Sequence, residues 1–156
     1  MLVFGILIAL AVTGKVFILP MIDREMMKAP MQNALMALRN GDVQALRHVF
    51  TKDATLASEE TTVVVATFLE TNRAFIKEMK QDNSMRFAGY THMQRESDTR
   101  ANADFTIIFH YAGADNPYPR MPFEKHGHVV LQRQGFMNWK IERISSTDPD
   151  FGEALR

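Results

Sequence analysis

Histidine and carboxylate side chains carry most of the chemical reach in this chain. His92, Asp104, His110, His126 and His128 fall in three stretches where apolar and polar residues alternate. If each stretch is a strand and the connections around Glu96–Arg100 and Gly113–Phe123 close symmetrically, Arg86 faces His110, His92 faces Asp104, and His110 faces His126. His128 then lies two residues further along the same face. Arg86, His92, Asp104, His110, His126 and His128 would share one surface. Imidazoles and a carboxylate are ligand types for zinc, but a flat sheet does not converge them to the ~2.0–2.2 Å that zinc needs, so neither a metal nor another cofactor is expected. Imidazoles that gain charge near pH ~6.5 suit instead a surface that meets a protein partner or a second copy of the chain. A one-residue slip in register would send every member to the other face.

The elements that must carry this surface are legible as a change of period. Pro30 is placed to occupy a first helical turn, with Met31, Ala34, Leu35 and Leu38 on one side before Asn40-Gly41. Asp42 is placed to cap a short helix that points Val43, Leu46, Val49 and Phe50 one way. A brief extended piece at 54–57 follows, and Ser58 is expected to cap a long helix over 59–81 with Val64, Phe68, Phe75 and Met79 buried. Beyond Asp82 the period becomes two, through Met85–Met93, Phe105–Tyr111, Val129–Leu131 and Trp139–Ile141. Four strands with turn-rich connections imply an antiparallel meander, and the prolines between Gly113 and Pro122 make that stretch a loop. Helices grouped before an antiparallel sheet read as an α+β fold.

Location is the plainest functional statement. Residues 1–22 contain one formal charge, Lys15, and every acidic residue lies beyond them. A helix of roughly twenty residues spans the ~30 Å hydrocarbon layer, so residues 1–22 are expected to be a single-pass transmembrane anchor. A cleaved signal peptide is the rival, but nothing basic precedes Leu2, and Ala9-Leu10-Ala11 is followed by more apolar chain. Lys15, Arg24 and Lys28 favour a cytoplasmic or matrix position for the domain. The chain then divides into the anchor, a linker at 23–29, an α+β domain at 30–147 and a tail at 148–156. With Lys15 set aside, 17 of the 18 basic residues and all 18 acidic ones belong to the part after the anchor, which therefore lacks the basic excess that nucleic acid requires. Cysteine is absent, so no disulfide framework is available.

Helix, short helix, short strand, long helix and four strands, together with "ALRHVFTKDATL" and "VVLQRQGFMNWKIERI", resemble the nuclear transport factor two-like superfamily, also called the SnoaL-like or cystatin-like cone. The resemblance covers about residues 30–147 and implies helices packed on a curved antiparallel sheet. It also implies a cone cavity, for which Phe87, Phe105, Phe109 and Trp139 are the candidate lining. Enzymes and scaffolds share this fold, so it does not decide function. The ketosteroid isomerase-like branch carries a general-base carboxylate about five residues beyond the Asp of the post-helix turn. Counting from Asp53 gives Ser58, and Glu59 and Glu60 are expected to serve a helix N-terminus instead. Asp53 itself is expected to be a turn residue. No catalytic residue is therefore assigned. The expected function is a membrane-anchored binding or assembly module; the alternative is a small lyase, isomerase or hydrolase acting on an apolar molecule in the cone.

Overall fold

The structure, a computed structural model, describes residues 19–78, 83–111 and 123–156. Its first helix, α1 (Leu19–Asn40), buries Asp23, Met27, Met31, Ala34, Leu35 and Ala37 along one stripe. That spacing is the one an amphipathic helix needs to face a sheet. The helix runs straight through the expected linker at 23–29, and Pro30 lies inside it rather than in its first turn. Tertiary burial of Met27 and Met31 on either side of Pro30 outweighs the hydrogen bond that proline removes. Among the described residues no helix is long and apolar enough to cross a membrane; residues 1–18 of the expected anchor lie outside them.

The short helix α2 (Val43–Val49) is capped as its sequence predicts, with Asp42 accepting from the backbone N–H groups of Gln44 and Ala45. It leads into β1 (Phe50–Ala57), so Asp53 is a strand residue and not a turn residue. The long helix expected over 59–81 is replaced by three shorter elements: β2 (Thr62–Val64), α3 (Val65–Thr71) and α4 (Arg73–Glu78). Ser58 caps no helix. Its hydroxyl accepts from the Thr61 N–H in the tight β1–β2 turn. Because helix begins only at Val65, the buried stripe is displaced by one residue to Val65, Leu69 and Ile76, leaving Val64 and Phe75 exposed. Met79 lies outside the described residues.

The sheet is completed by β3 (Asn83–Arg95), β4 (Arg100–Tyr111), β5 (Phe123–Arg133) and β6 (Trp139–Ser145), with spatial order β2-β1-β6-β5-β4-β3. The last four strands form the expected antiparallel meander, and β1 adds to β6 in parallel. A final helix, α5 (Pro149–Ala154), occupies the expected tail and sends Leu155 back into the core. The result is an α+β fold with helices packed on one face of a curved, mostly antiparallel sheet. Ala101, Ala103, Phe105, Val129, Leu131 and Ile141 are buried, with Phe87 and Ile107 packed against the same core.

Two irregularities in β3, between Phe87 and Gly89 and between Thr91 and Gln94, set the curvature and the register. Bulges insert extra residues on one strand and increase its local bend. Near the turn, Gln94 pairs with Asn102, which matches symmetric closure; at the far end Arg86 faces Ile108 and Ser84 faces His110. The β4–β5 connection is also asymmetric: Asp104 faces His128 and Thr106 faces His126, so His110 does not face His126. The β4–β5 slip is even, which preserves the face each side chain occupies; between the two β3 bulges the slip is a single residue, so Thr91 rather than His92 stands opposite Asp104, Thr91 joins the polar face and Tyr90 packs against the core.

Candidate functional site

Two concave regions lie on opposite faces of the sheet. The inner one is a cone cavity of about 380 Å³ between the helices and the sheet, walled by apolar side chains that include Leu35, Phe68, Leu69, Phe105 and Ile107. Phe109 also lines it, so two of the four expected lining residues are in place. The other two serve elsewhere. Phe87 packs edge-on against Tyr90, their ring centroids 4.8 Å apart. Trp139 is buried at the far end of the sheet, where its indole N–H donates to Asp23 at 2.9 Å.

Phe105 reaches the cavity because its directly opposed neighbour is Gly127. A Cβ at 127 would stand 2.5 Å from the Phe105 ring and 2.8 Å from the Ser145 carbonyl oxygen. Glycine is the residue that lets ring and backbone approach this closely.

Polar groups enter the cavity at one end only. Lys125 faces Ile107 across β4–β5 and extends its ammonium to Asp148 and Asp150, both at 2.7 Å. Asp148 is the N-cap of α5, accepting from the Asp150 N–H, and it lines the cavity beside Ser146. The hydrogen bond to Asp148, then that to Asp150, raises the Lys125 pKa above its ordinary value, and the bond from Lys125 lowers that of Asp148. The pair is therefore an ammonium and a carboxylate at neutral pH. Sequence reading missed both residues, and no spacing signal could have linked two positions joined only through the sheet and the start of α5.

The outer region is a groove of about 490 Å³ on the polar face, lined by Thr91, His92, Asp104, His126, His128 and the β1–β2 turn. Asp104 accepts from His128 Nδ1 at 3.0 Å and from His92 Nδ1 at 3.1 Å. Those bonds, the one from His128 first, hold its carboxyl below the usual carboxylate range. His92 adopts a positive φ of 49° at the second β3 bulge, a conformation that histidine visits more readily than most residues. His126 Nδ1 lies 3.0 Å from the Thr106 hydroxyl and belongs to a separate pair. Arg86 is exposed on β3 opposite Ile108, and the His110 side chain lies outside those described. Of the expected members, His92 and His128 thus meet at Asp104, His126 pairs with Thr106, and Arg86 stands apart from both. Among the described residues no group of three or more His, Asp or Glu side chains is arranged to hold a metal ion. Ser58 and Glu59 belong to this outer groove, and Glu60 pairs with Arg156, so none supplies a carboxylate to the cone.

No family model matches the sequence, and no curated protein matches it. Solved structures do match. An NTF2-like protein with a cystatin-like fold from Novosphingobium aromaticivorans superposes with a TM-score of 0.63 at 14% identity, covering 93% of this chain and 95% of its own. A ketosteroid isomerase-like protein from Erwinia carotovora atroseptica gives 0.57 at 14%, covering 79% and 93%. The association domain of C. elegans CaMKII gives 0.59 at 12%, covering 74% and 87%. At these identities the likeness shows the fold, which is the nuclear transport factor two-like, cystatin-like cone.

Proposed function

We propose that the domain takes an apolar small molecule into the cone cavity and acts on it as a small lyase, isomerase or hydrolase. The observation that carries this reading is the cavity itself: about 380 Å³ with apolar walls and a lysine–carboxylate pair at one end. An apolar ligand body gains roughly 25 cal/mol for each Å² it removes from water, while the polar end fixes its orientation. Lys125, kept as an ammonium, suits stabilisation of negative charge developing on a ligand oxygen. Asp148 is the adjacent proton acceptor, a weak base because its pKa is lowered. A ketosteroid isomerase-like protein is among the solved structures that share the fold, which is consistent with this reading.

The test is displacement of 8-anilinonaphthalene-1-sulfonate, an apolar fluorophore with one anionic group, by ketosteroids and other apolar carbonyl compounds, followed by assay of the displacing compounds for turnover. Ile107→Trp should fill the cavity and abolish binding while leaving the circular dichroism spectrum unchanged. Lys125→Met should retain binding of the apolar body and lose turnover. Absence of saturable binding to the parent protein would overturn the reading.

A second reading, assembly through the outer face of the sheet, is favoured by the exposed groove around His92, Asp104 and His128 and by the likeness to an association domain. Sedimentation of the full chain tests it. A concentration-dependent dimer disrupted by Arg86→Glu or His128→Glu supports it, and a monomer at all concentrations refutes it.

A further inference from the structure

The end of the domain opposite the polar end of the cavity is built around Asp23. This carboxylate, in the second turn of α1, meets the Trp139 indole at the start of β6, Arg95 at the end of β3 and Arg133 at the end of β5. Those contacts bring the first turn of α1 next to the β5–β6 turn. Both carry exposed apolar side chains: Phe136 is 81% exposed at the tip of the turn, and Met21 and Ile22 are 69% and 37% exposed on α1. The turn projects its tip through two residues with positive φ, Gly135 at 149° and Met137 at 56°. Its backbone closes with the Gln134 N–H donating to the Asn138 carbonyl at 2.7 Å.

The chain that enters this end is residues 1–18, whose only polar side chains are Thr13 and Lys15. Exposed apolar tips beside the entry point of so apolar a segment point to one environment, and we propose that this end of the domain rests on a lipid bilayer with Phe136 inserted at the interface. The inserted contact is apolar. Of the cations at this end, Arg95 pairs with Asp23 and Asp98, Arg100 with Glu96 and Glu142, and Arg133 with Asp23, while Arg24, beside Ile22 on α1, and Lys140, beside Trp139 on β6, are placed to meet the headgroup layer around it. Lys125 lies eight residues before Arg133 on β5, about 27 Å away at the rise of an antiparallel strand. The polar end of the cavity therefore points away from the bilayer, and its ligand enters from water.

The chain has no cysteine, so a single introduced cysteine is unique for labelling. The full chain would be mixed with or reconstituted into phosphatidylcholine vesicles, with an environment-sensitive fluorophore at Phe136→Cys, Met21→Cys or Met36→Cys. Met36 is also well exposed, at 60%, but lies 15 residues further along α1 than Met21, about 22 Å from it, beyond the ~5–10 Å depth of an interfacial contact. The expected result is blue-shifted emission at 136 and 21, with quenching by doxyl-labelled phosphatidylcholine several-fold greater there than at 36. An anchor alone would bring lipid to position 21, so position 136 decides the matter. Equal quenching at 136 and 36, or no association with the vesicles, overturns the proposal. So does a shielded label at 136 that doxyl lipid fails to quench, since residues 1–18 or a second copy would then cover Phe136.

Discussion

Replacing Asp23 with alanine tests how α1 is fastened to the sheet, because one carboxylate serves three donors. It accepts from the Trp139 indole at 2.9 Å and lies 3.1 Å from Arg95 and 3.7 Å from Arg133. The two guanidinium groups are partly exposed and recover water when the carboxylate is removed, so each loses at most about 1 kcal/mol. The indole cannot, since Trp139 is 4% exposed and Arg133 stacks over its ring at 5.8 Å. A buried donor left without a partner costs about 1–3 kcal/mol. Together these give a destabilisation of about 2–4 kcal/mol, or a fall in Tm of roughly 5–12 °C for a domain of this size. Trp139 is the only tryptophan, so its emission reports both unfolding and the polarity around the indole. Urea titration should show the loss together with a shifted native emission maximum. Asp23→Asn, which keeps a carbonyl acceptor for the indole, should recover about half of it. An alanine variant within about 0.5 kcal/mol of the parent, or an asparagine variant no better than alanine, would refute the latch.

Gly127→Ala should cost about 1–3 kcal/mol by overpacking against the Phe105 ring and the Ser145 carbonyl, and it should weaken binding of the anilinonaphthalene probe as the ring is pushed into the cavity. Phe105→Ala, at a buried position, should cost about 3–5 kcal/mol in chemical denaturation, and Phe109→Ala less because that ring is only half-buried. Equal costs would mean that Phe109 is as buried in solution as Phe105. The Lys125–Asp148 pair has a defined pH window. The lowered Asp148 pKa gives stability that is present above the unfolded value near pH ~4 and lost as pH falls through the folded one. The raised Lys125 pKa gives stability that is present below pH ~10.4 and lost as pH rises through the folded one. Parent and Lys125→Met should therefore differ by up to about 1 kcal/mol between these limits and converge beyond both, as followed by denaturation across pH.

The association expected from the histidine face changes with the register. His110 and His126 were expected to face each other, and they do not. His92 and His128 both hold Asp104. Self-association through this face is therefore tested by charge reversal and not by acidification.

Local chemistry reached some of this protein and not the rest. The period of two after Asp82, the Asp42 cap and the inward placement of Phe105, Val129 and Leu131 were legible in the sequence, because alternation and capping depend on residues a few positions apart. Face assignment survived in β4 and β5, where the slip was even, and failed at Tyr90 and Thr91 between the two β3 bulges, where it was odd. The break between β2 and α3 was not legible, since Val64, Val65 and Phe68 suit a helix or a strand equally and only pairing with β1 decides where extended chain ends. The apolar composition of residues 1–18 was legible at once, but the placement of Phe136 beside the start of α1 required Asp23 to meet Trp139 across 116 positions. The cavity's polar end arose in the same way. Lys125 and Asp148 are 23 residues apart and become partners only because β5, β6 and α5 fold back on one another, a long-range closure that no local period encodes.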